Sequence, residues 1–585
     1  MTDAVLAPDD RAGLSLRWRL ARWVPSLSLG VLLAWMVLVP LALVLISSFK
    51  PTGFPSDKGW TTENYSDVYF SAEFWELVGN TVQFAFGATI MALSLGALIA
   101  WLVERSDLPM KGLVRALVIL PMATPPVLMA IGWVMLLSPR TGAINDLLIY
   151  LFNLDSAPIN IYSMGGMIFV EGLALVPSTF LILSPAFRNM DPSLEEAAFT
   201  SGAGLFTTIR KIFLPLLAPT IMAAAVFLLI VGFLVFDIPG TIGMPVGIFV
   251  LSSQVVYLAN DAPGGLPEYG LISAMAIFFL VIVLTLAWSY QRYTRLQGQF
   301  VTVTGKGWRP RSVALGKWRW PAFTMIAVYF LLAVAAPVAI LIWTSLMPYQ
   351  SGVSLDMLEK ATLANHIDFF SNRRAVQSSI NSVLIAIAAS TAVALLSVLV
   401  SWVVIRSKAP GRKIIDALSF LPIAIPGTLI GVGLIYVYLT INFIPIYGTI
   451  WIIMIAYTTN YLSFGSRATH GVMIQLHADL EDAAKTSGAG WWRTMRRIIV
   501  PLAFPAIAAV WIWVLAHCMR ELTSALLLAG ANNTTLPVLL WGYWSGGEPN
   551  KAAAIGVWLV FAMLICVAGW QIMASRSKSS GREAF

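Results

Sequence analysis

Residues 195–215 read Glu195-Glu-Ala-Ala-Phe-Thr-Ser-Gly-Ala-Gly204, then a basic stretch, then Ile212-Phe-Leu-Pro215. Residues 481–501 read Glu481-Asp-Ala-Ala-Lys-Thr-Ser-Gly-Ala-Gly490, a basic stretch, then Ile498-Ile-Val-Pro501. A polar, helix-capable loop of about 20 residues, written twice between apolar runs, is not needed by a lipid-facing surface. A plain amphipathic connector would explain one copy. It does not explain the same glycine at the same place twice. The repeat reads as a docking element for a soluble partner, present once per half of the chain.

The surroundings of the two loops are those of an integral membrane protein. Of 585 residues, 58% are hydrophobic and 11% charged, against about 25% charged in soluble domains. Two cysteines, Cys518 and Cys566, both in apolar runs, exclude a disulfide framework. The net charge of +8 is spread between apolar runs and is no nucleic-acid footprint. Arg11, Arg17, Arg19 and Arg22 precede an apolar run from Val24 to Ile46, too long for a cleaved signal core. That run is expected to be the first span.

Spanning-length runs fall near 25–47, 80–103, 113–137, 163–186, 215–236 and 270–290. A second set falls near 321–345, 380–404, 414–440, 449–465, 501–519 and 552–573. The expected fold is all-α, with about twelve transmembrane helices in two six-span halves, 1–290 and 321–585, joined by a basic, glycine-containing cytoplasmic linker, 291–320. With the N-terminus inside, about 29 of the 37 basic residues fall on the cytoplasmic side. This places both termini and both repeated loops in the cytoplasm.

The repeat extends beyond the loops. Asn80-Thr-Val matches Asn381-Ser-Val, Trp101 matches Trp402, and Arg105-Ser106 matches Arg406-Ser407. Pro121, Pro125 and Gly132 match Pro422, Pro426 and Gly433. Six spans separate the copies, so they run parallel, related by an axis along the membrane normal.

Each loop has readable local chemistry. Acids at its start (Glu195, Glu196; Glu481, Asp482) suit the positive end of a helix. Ala197, Ala198, Ala483 and Ala484 favour helix without bulk. Gly202 and Gly488, followed by Gly204 and Gly490, are expected to end that helix in a left-handed turn. A second short helix would carry Arg210 or Arg496, and Pro215 and Pro501 would start the next span.

On these residues the chain resembles the permease subunits of ABC importers, whose hallmark is Glu-Ala-Ala, three residues, Gly, nine residues, Ile, one residue, Leu-Pro. The first copy fits throughout, with Glu196, Ala197, Ala198, Gly202, Ile212, Leu214 and Pro215; the second has Asp482 for Glu and Val500 for Leu. The resemblance implies that the loops are coupling helices docking on two copies of a separate ATPase, with a periplasmic binding protein delivering cargo. Two fused halves resemble the group of permeases for ferric iron, thiamine, aminoethylphosphonate and polyamines. Phe236-Asp237-Ile238-Pro239-Gly240 and Arg520-Glu521-Leu522-Thr523 fit that group.

The sequence holds no Gly-x-x-x-x-Gly-Lys-Ser/Thr phosphate loop. The chain is therefore expected to bind no cofactor, with ATP on the partner subunit, and to be no enzyme itself. The four histidines form no metal-ligand pattern; His470 and His477, flanking the second loop, read as solvated or structural.

Ionisable groups within apolar spans are candidates for a transport path. Glu171 lies in the fourth span; Asp237 and Glu521, with Arg520 and His517 nearby, lie near the outer ends of theirs. These acids would favour a cationic cargo. Equally, Arg520 and Glu521 could satisfy each other or other helix ends, and Glu171 could sit at a helix contact with a polar partner. Prolines interrupting the third span of both halves point to the path, or are ordinary kinks. The same span count fits an ion-driven secondary transporter, and the loops alone would fit a membrane scaffold.

Overall fold

The computed structural model describes residues 8–190, 198, 200–260, 267–297, 313–407, 409–441 and 443–580. All regular elements among them are helices, apart from one isolated bridge between Ser106 and Val313. Nine described helices are long and apolar enough to cross a membrane, and up to twelve if each of three bent pairs is one span.

Polar caps set many helix boundaries. Ser71 accepts from Phe74 N, Ser163 from Gly166 N, and Asn372 from Arg374 N. Each supplies an acceptor to a first-turn N–H that has no partner within its own helix. Where the first spans end, Asn64 Nδ2 donates to the carbonyls of Ser48 and Lys50, and its repeat partner Asn365 to those of Ser345 and Met347.

The third span of each half is broken as its prolines predict. Lys111–Ala123 and Pro126–Leu137 meet at 94°, and Arg412–Ala424 and Gly427–Thr440 at 112°. Pro125 and Pro426 hold extended backbone before the second segment, with ψ of 134° and 140°. For Pro125 the following proline enforces this, since it disfavours the helical region for the residue before it.

Three features depart from the sequence expectation. Pro215 and Pro501 do not begin separate helices. The chain is helical from Leu205 to Leu234 and from Trp491 to Arg520, with wide π turns at Ile209–Phe213 and Met495–Ile499. A proline leaves the carbonyl four residues back without its donor, and the wide turn makes room for the ring. The fourth span of the second half, Ile450–Gln475, is less apolar than the others and is not among the nine. It nevertheless packs on Arg373–Ser401 as Met164–Arg188 packs on Ala72–Arg105. Its polar residues are turned inward: Thr458, Thr459, Ser463, Ser466 and Thr469 are all buried. The bent pair Pro239–Val246 and Leu251–Asn260 (72°) is an element the sequence reading did not separate from its neighbours.

The first span of each half packs against the broken third span of the other half and the last span of its own. Pro8–Ser47 lies on Gly427–Thr440, and Ala336–Leu346 on Pro126–Leu137. The swap knits the two bundles into one body. Glycines set the approach at the matched crossings: a Cβ on Gly132 would lie 2.7 Å from Pro337 Cβ, and one on Gly433 2.7 Å from Pro40 Cβ.

The end of the linker is not a free tether. Val313 N donates to Arg105 O (2.7 Å), Asp107 N to Val313 O (3.0 Å) and Leu315 N to Asp107 Oδ1 (2.8 Å). Arg319 adds an ion pair to Asp107 at 3.5 Å.

Candidate functional site: two repeated loops and a polar cluster between broken spans

Of the first loop, Glu195, Glu196 and Ala197 lie outside the described residues. Ala198 is buried and its carbonyl accepts from Ala203 N at 2.9 Å. In the second loop, Asp479–Thr486 is a helix with Asp479, Glu481 and Asp482 in its first turn, and Ala484 O accepts from Ala489 N at the same 2.9 Å. Gly202 and Gly488 have φ of +79° and +76°, the left-handed turn their positions demanded. The two loops thus end their first helices by the same hydrogen bond around the same glycine.

One face of each loop is open. Gly202, Gly204 and Arg210 are exposed, as are Asp482, Ala483, Gly488, Gly490 and Arg496. A Cβ at any of the four glycines would touch nothing within 4 Å. The other face holds to the membrane helices. Glu481 is buried, 3.5 Å from Arg406 Nε, and accepts from Trp402 Nε1 at 3.4 Å. Asp482 pairs with exposed Lys485, at 2.9 Å. His470 is buried and His477 exposed, 3.9 Å from Asp479.

The residues assigned to the path gather at the two breaks. Arg520 Nη1 donates to Met122 O at 2.6 Å, inside the first-half break Leu120–Ala123. Glu521 faces the second-half break, where a Cβ on Gly427 would lie 3.7 Å from its Oε1. Arg520 and Glu521 therefore do not satisfy each other. Glu521 Oε2 accepts from Tyr461 OH (2.8 Å), its Oε1 from Ser524 N and Oγ (3.3 Å each), and its carbonyl from Tyr457 OH (2.9 Å). His517 is stacked on Trp513 with ring centroids 3.7 Å apart.

Glu171 is 2% exposed in the fourth span. One turn earlier on the same face, Met167 Sδ would meet a Cβ on Gly243 at 2.8 Å, so this face packs on the segment that follows Asp237. Asp237 stands close enough to Glu171 and Glu521 for their charges to act on one another. Its Oδ1 is buried and accepts no hydrogen bond among the described residues. Three acidic side chains and one guanidinium thus gather in one region of the interior.

Several residues here escaped the sequence reading. Glu104 accepts from Arg115 (3.1 Å), Arg188 (3.1 Å) and Ser184 (2.5 Å), binding the loop-side ends of the second, third and fourth spans together. Asp416 and Arg467 join the third and fourth spans of the second half at 2.9 Å. Arg105 and Arg406 were legible only as topology signals, though their matched positions in the repeat marked them.

Residues 92–299 and 394–576 both match the model of the family described as binding-protein-dependent transport system inner membrane component. The ferric transport system permease protein FbpB of Actinobacillus pleuropneumoniae is 26% identical over 457 residues, 77% of this chain and 64% of that protein. The chain thus spans just under two thirds of that relative's length. A probable ABC transporter permease, y4fN of Sinorhizobium fredii, is 25% identical over 94% of this chain and 96% of its own length. A putative 2-aminoethylphosphonate permease, PhnU of Salmonella typhi, is 28% identical over 38% of this chain and 74% of its own. Matched in both halves over more than half of its length, the chain belongs to the binding-protein-dependent inner membrane transport components, as a fused permease of the ABC-importer group.

Proposed function

We propose that this chain is the translocation path of an ATP-driven importer carrying ferric iron across a bacterial inner membrane. Two copies of a separate ATPase dock on residues 195–211 and 481–497, and a periplasmic binding protein delivers cargo to the opposite face. Closure of the ATPase pair on ATP draws the two loops together and opens the path outward; hydrolysis resets it. Both termini and both loops are cytoplasmic, as the distribution of Lys and Arg favours.

The observation that carries this reading is the presence, once per half, of an exposed loop with the same glycine-centred turn and the same hydrogen bond. A gradient-driven transporter has no use for such a pair. The ferric relatives and the acidic side chains gathered around Arg520 support a cationic cargo. The aminoethylphosphonate relative supports an organic one, and thiamine or a polyamine would fit the same class.

The test is reconstitution in proteoliposomes with the ATPase and the binding protein. Uptake of labelled ferric iron that requires ATP and both partners is expected. Uptake by this chain alone, driven by an ion gradient, would overturn the proposal. Uptake of aminoethylphosphonate in place of iron would keep the class and change the cargo.

A further inference from the structure

The second span of each half carries two matched attachments, one at each end. At the loop end, Arg105 Nη1 donates to Met190 O (3.2 Å), and Arg406 Nη2 donates to Leu476 O. Met190 and Leu476 hold the same place in the repeat, where the chain leaves the fourth span and enters the inward loop. Arg105 is 1% exposed. A guanidinium so buried keeps its place only through its hydrogen bonds.

In the second half the attachment reaches further into the loop. Arg406 also meets Glu481, in the first turn of the loop helix, and Trp402 donates to the same carboxylate. The Trp402 ring stands edge-on to Trp491, past the glycine turn, with centroids 5.3 Å apart.

At the opposite end of the same helices sit Thr81 and Ser382, both buried. Thr81 Oγ1 accepts from Leu251 N (2.9 Å) and Ser382 Oγ from Leu536 N (2.7 Å). Leu251 and Leu536 are the first residues of the short helices Leu251–Asn260 and Leu536–Ser545, which lie between the fifth and sixth spans. In each half the hydroxyl and the arginine are 24 positions apart on one continuous helix, about 36 Å at 1.5 Å per residue.

We infer that the second span of each half is a rod that delivers loop displacement to the far-side short helix, with Arg105 and Arg406 as positioning residues at its driven end and Thr81 and Ser382 at its delivering end. The inference rests on the importer reading above. A loop joined to the body only through its flexible chain would swing without moving the path. Clamped by its first carbonyl to a rigid helix, it carries that helix with it. The far hydroxyl then passes the movement to the short helix, whose segment in the first half begins beside Asp237 at the central cluster. Two packed helix ends held by geometrically defined hydrogen bonds are elements able to change partners as units.

The test uses the complete complex in proteoliposomes and measures cargo taken up per ATP hydrolysed. Arg105→Met with Arg406→Met is expected to retain assembly with the ATPase and ATP hydrolysis, while uptake per ATP falls about tenfold, the scale of an ordinary coupling free energy. Arg→Lys at both positions should restore part of the ratio, since a lysine can still reach the carbonyl. Thr81→Ala with Ser382→Ala, at the other end of the rod, should lower the same ratio with hydrolysis intact. This second pair carries the test if the arginine variants do not assemble. An unchanged ratio in the Thr81 and Ser382 variants, beside a working unmodified complex, would overturn the rod and leave the importer standing. Absence of ATP-dependent uptake by the unmodified complex would overturn both.

Discussion

Gly433, in the broken third span of the second half, touches Pro40 of the first half's first span so closely that an added Cβ would lie 2.7 Å from the proline Cβ. Gly132 repeats the relationship with Pro337 at the same 2.7 Å. The two crossings join the halves, and only the absence of a side chain allows them. Gly132→Ala with Gly433→Ala should destabilise the protein by about 1–3 kcal/mol per site, as overpacking does. Thermal unfolding in detergent reads this out. Gly471→Ala, inside Ile450–Gln475 with nothing within 4 Å, is the control expected to melt no lower than the unmodified protein, since alanine favours helix. Equal melting of both would refute the tight crossing.

The loop glycines make a different prediction, because space is not their constraint. Gly202 and Gly488 have left-handed backbone and open surroundings. Asn at both positions tolerates that conformation and should preserve uptake. Trp at both positions should leave the protein folded in the membrane but block the partner, so co-purification with the ATPase falls together with uptake. Normal uptake by the tryptophan double variant would remove the docking role from these loops.

Glu104 is the node of the loop-side ends of three first-half spans. Its carboxylate is buried, while the side chains of Arg115 and Arg188 are 42% and 54% exposed. Glu104→Ala removes the acceptor and leaves the two cations in contact with water. The expected cost is about 1–2 kcal/mol, below that of breaking a fully buried pair. A denaturation midpoint indistinguishable from that of the unmodified protein would show that the node contributes nothing.

The central carboxylates predict cargo charge. Glu521→Gln keeps an oxygen for Tyr461 and removes the acid; Glu171→Gln and Asp237→Asn do likewise at their sites. If the cargo crosses as a cation, each should lower uptake by about tenfold, the equivalent of about 1.4 kcal/mol. ATP hydrolysis stimulated by the binding protein should persist, because the loops are untouched. Undiminished transport in all three variants would exclude these acids from the path.

Much of this was legible in the chain itself. A span must satisfy its backbone internally, so apolar length announces helices. Local chemistry then wrote the rest: proline for the breaks at Pro125 and Pro426, glycine for the turns at Gly202 and Gly488. The repeat exposed the two halves and their loops because equivalent positions kept equivalent residues. Ile450–Gln475 shows where hydropathy alone is a poor guide. Its hydroxyls are buried against protein and not lipid, so its polarity reflects its neighbours.

What the order of residues could not convey was which helix lies against which. One apolar face packs on another without a label, so nothing local says that Pro8–Ser47 crosses to the opposite half or that Gly433 meets Pro40. The reach of Arg520 to the Met122 carbonyl, nearly 400 positions earlier, is of the same kind. A guanidinium takes whichever carbonyl the fold presents. Helices, turns and topology follow from forces acting within a few residues or across the bilayer boundary, and these the sequence states directly. The seam between the halves, the convergence of both broken spans on Arg520 and Glu521, and the clamping of each loop to its second span depend on distances that exist only once the whole chain has packed.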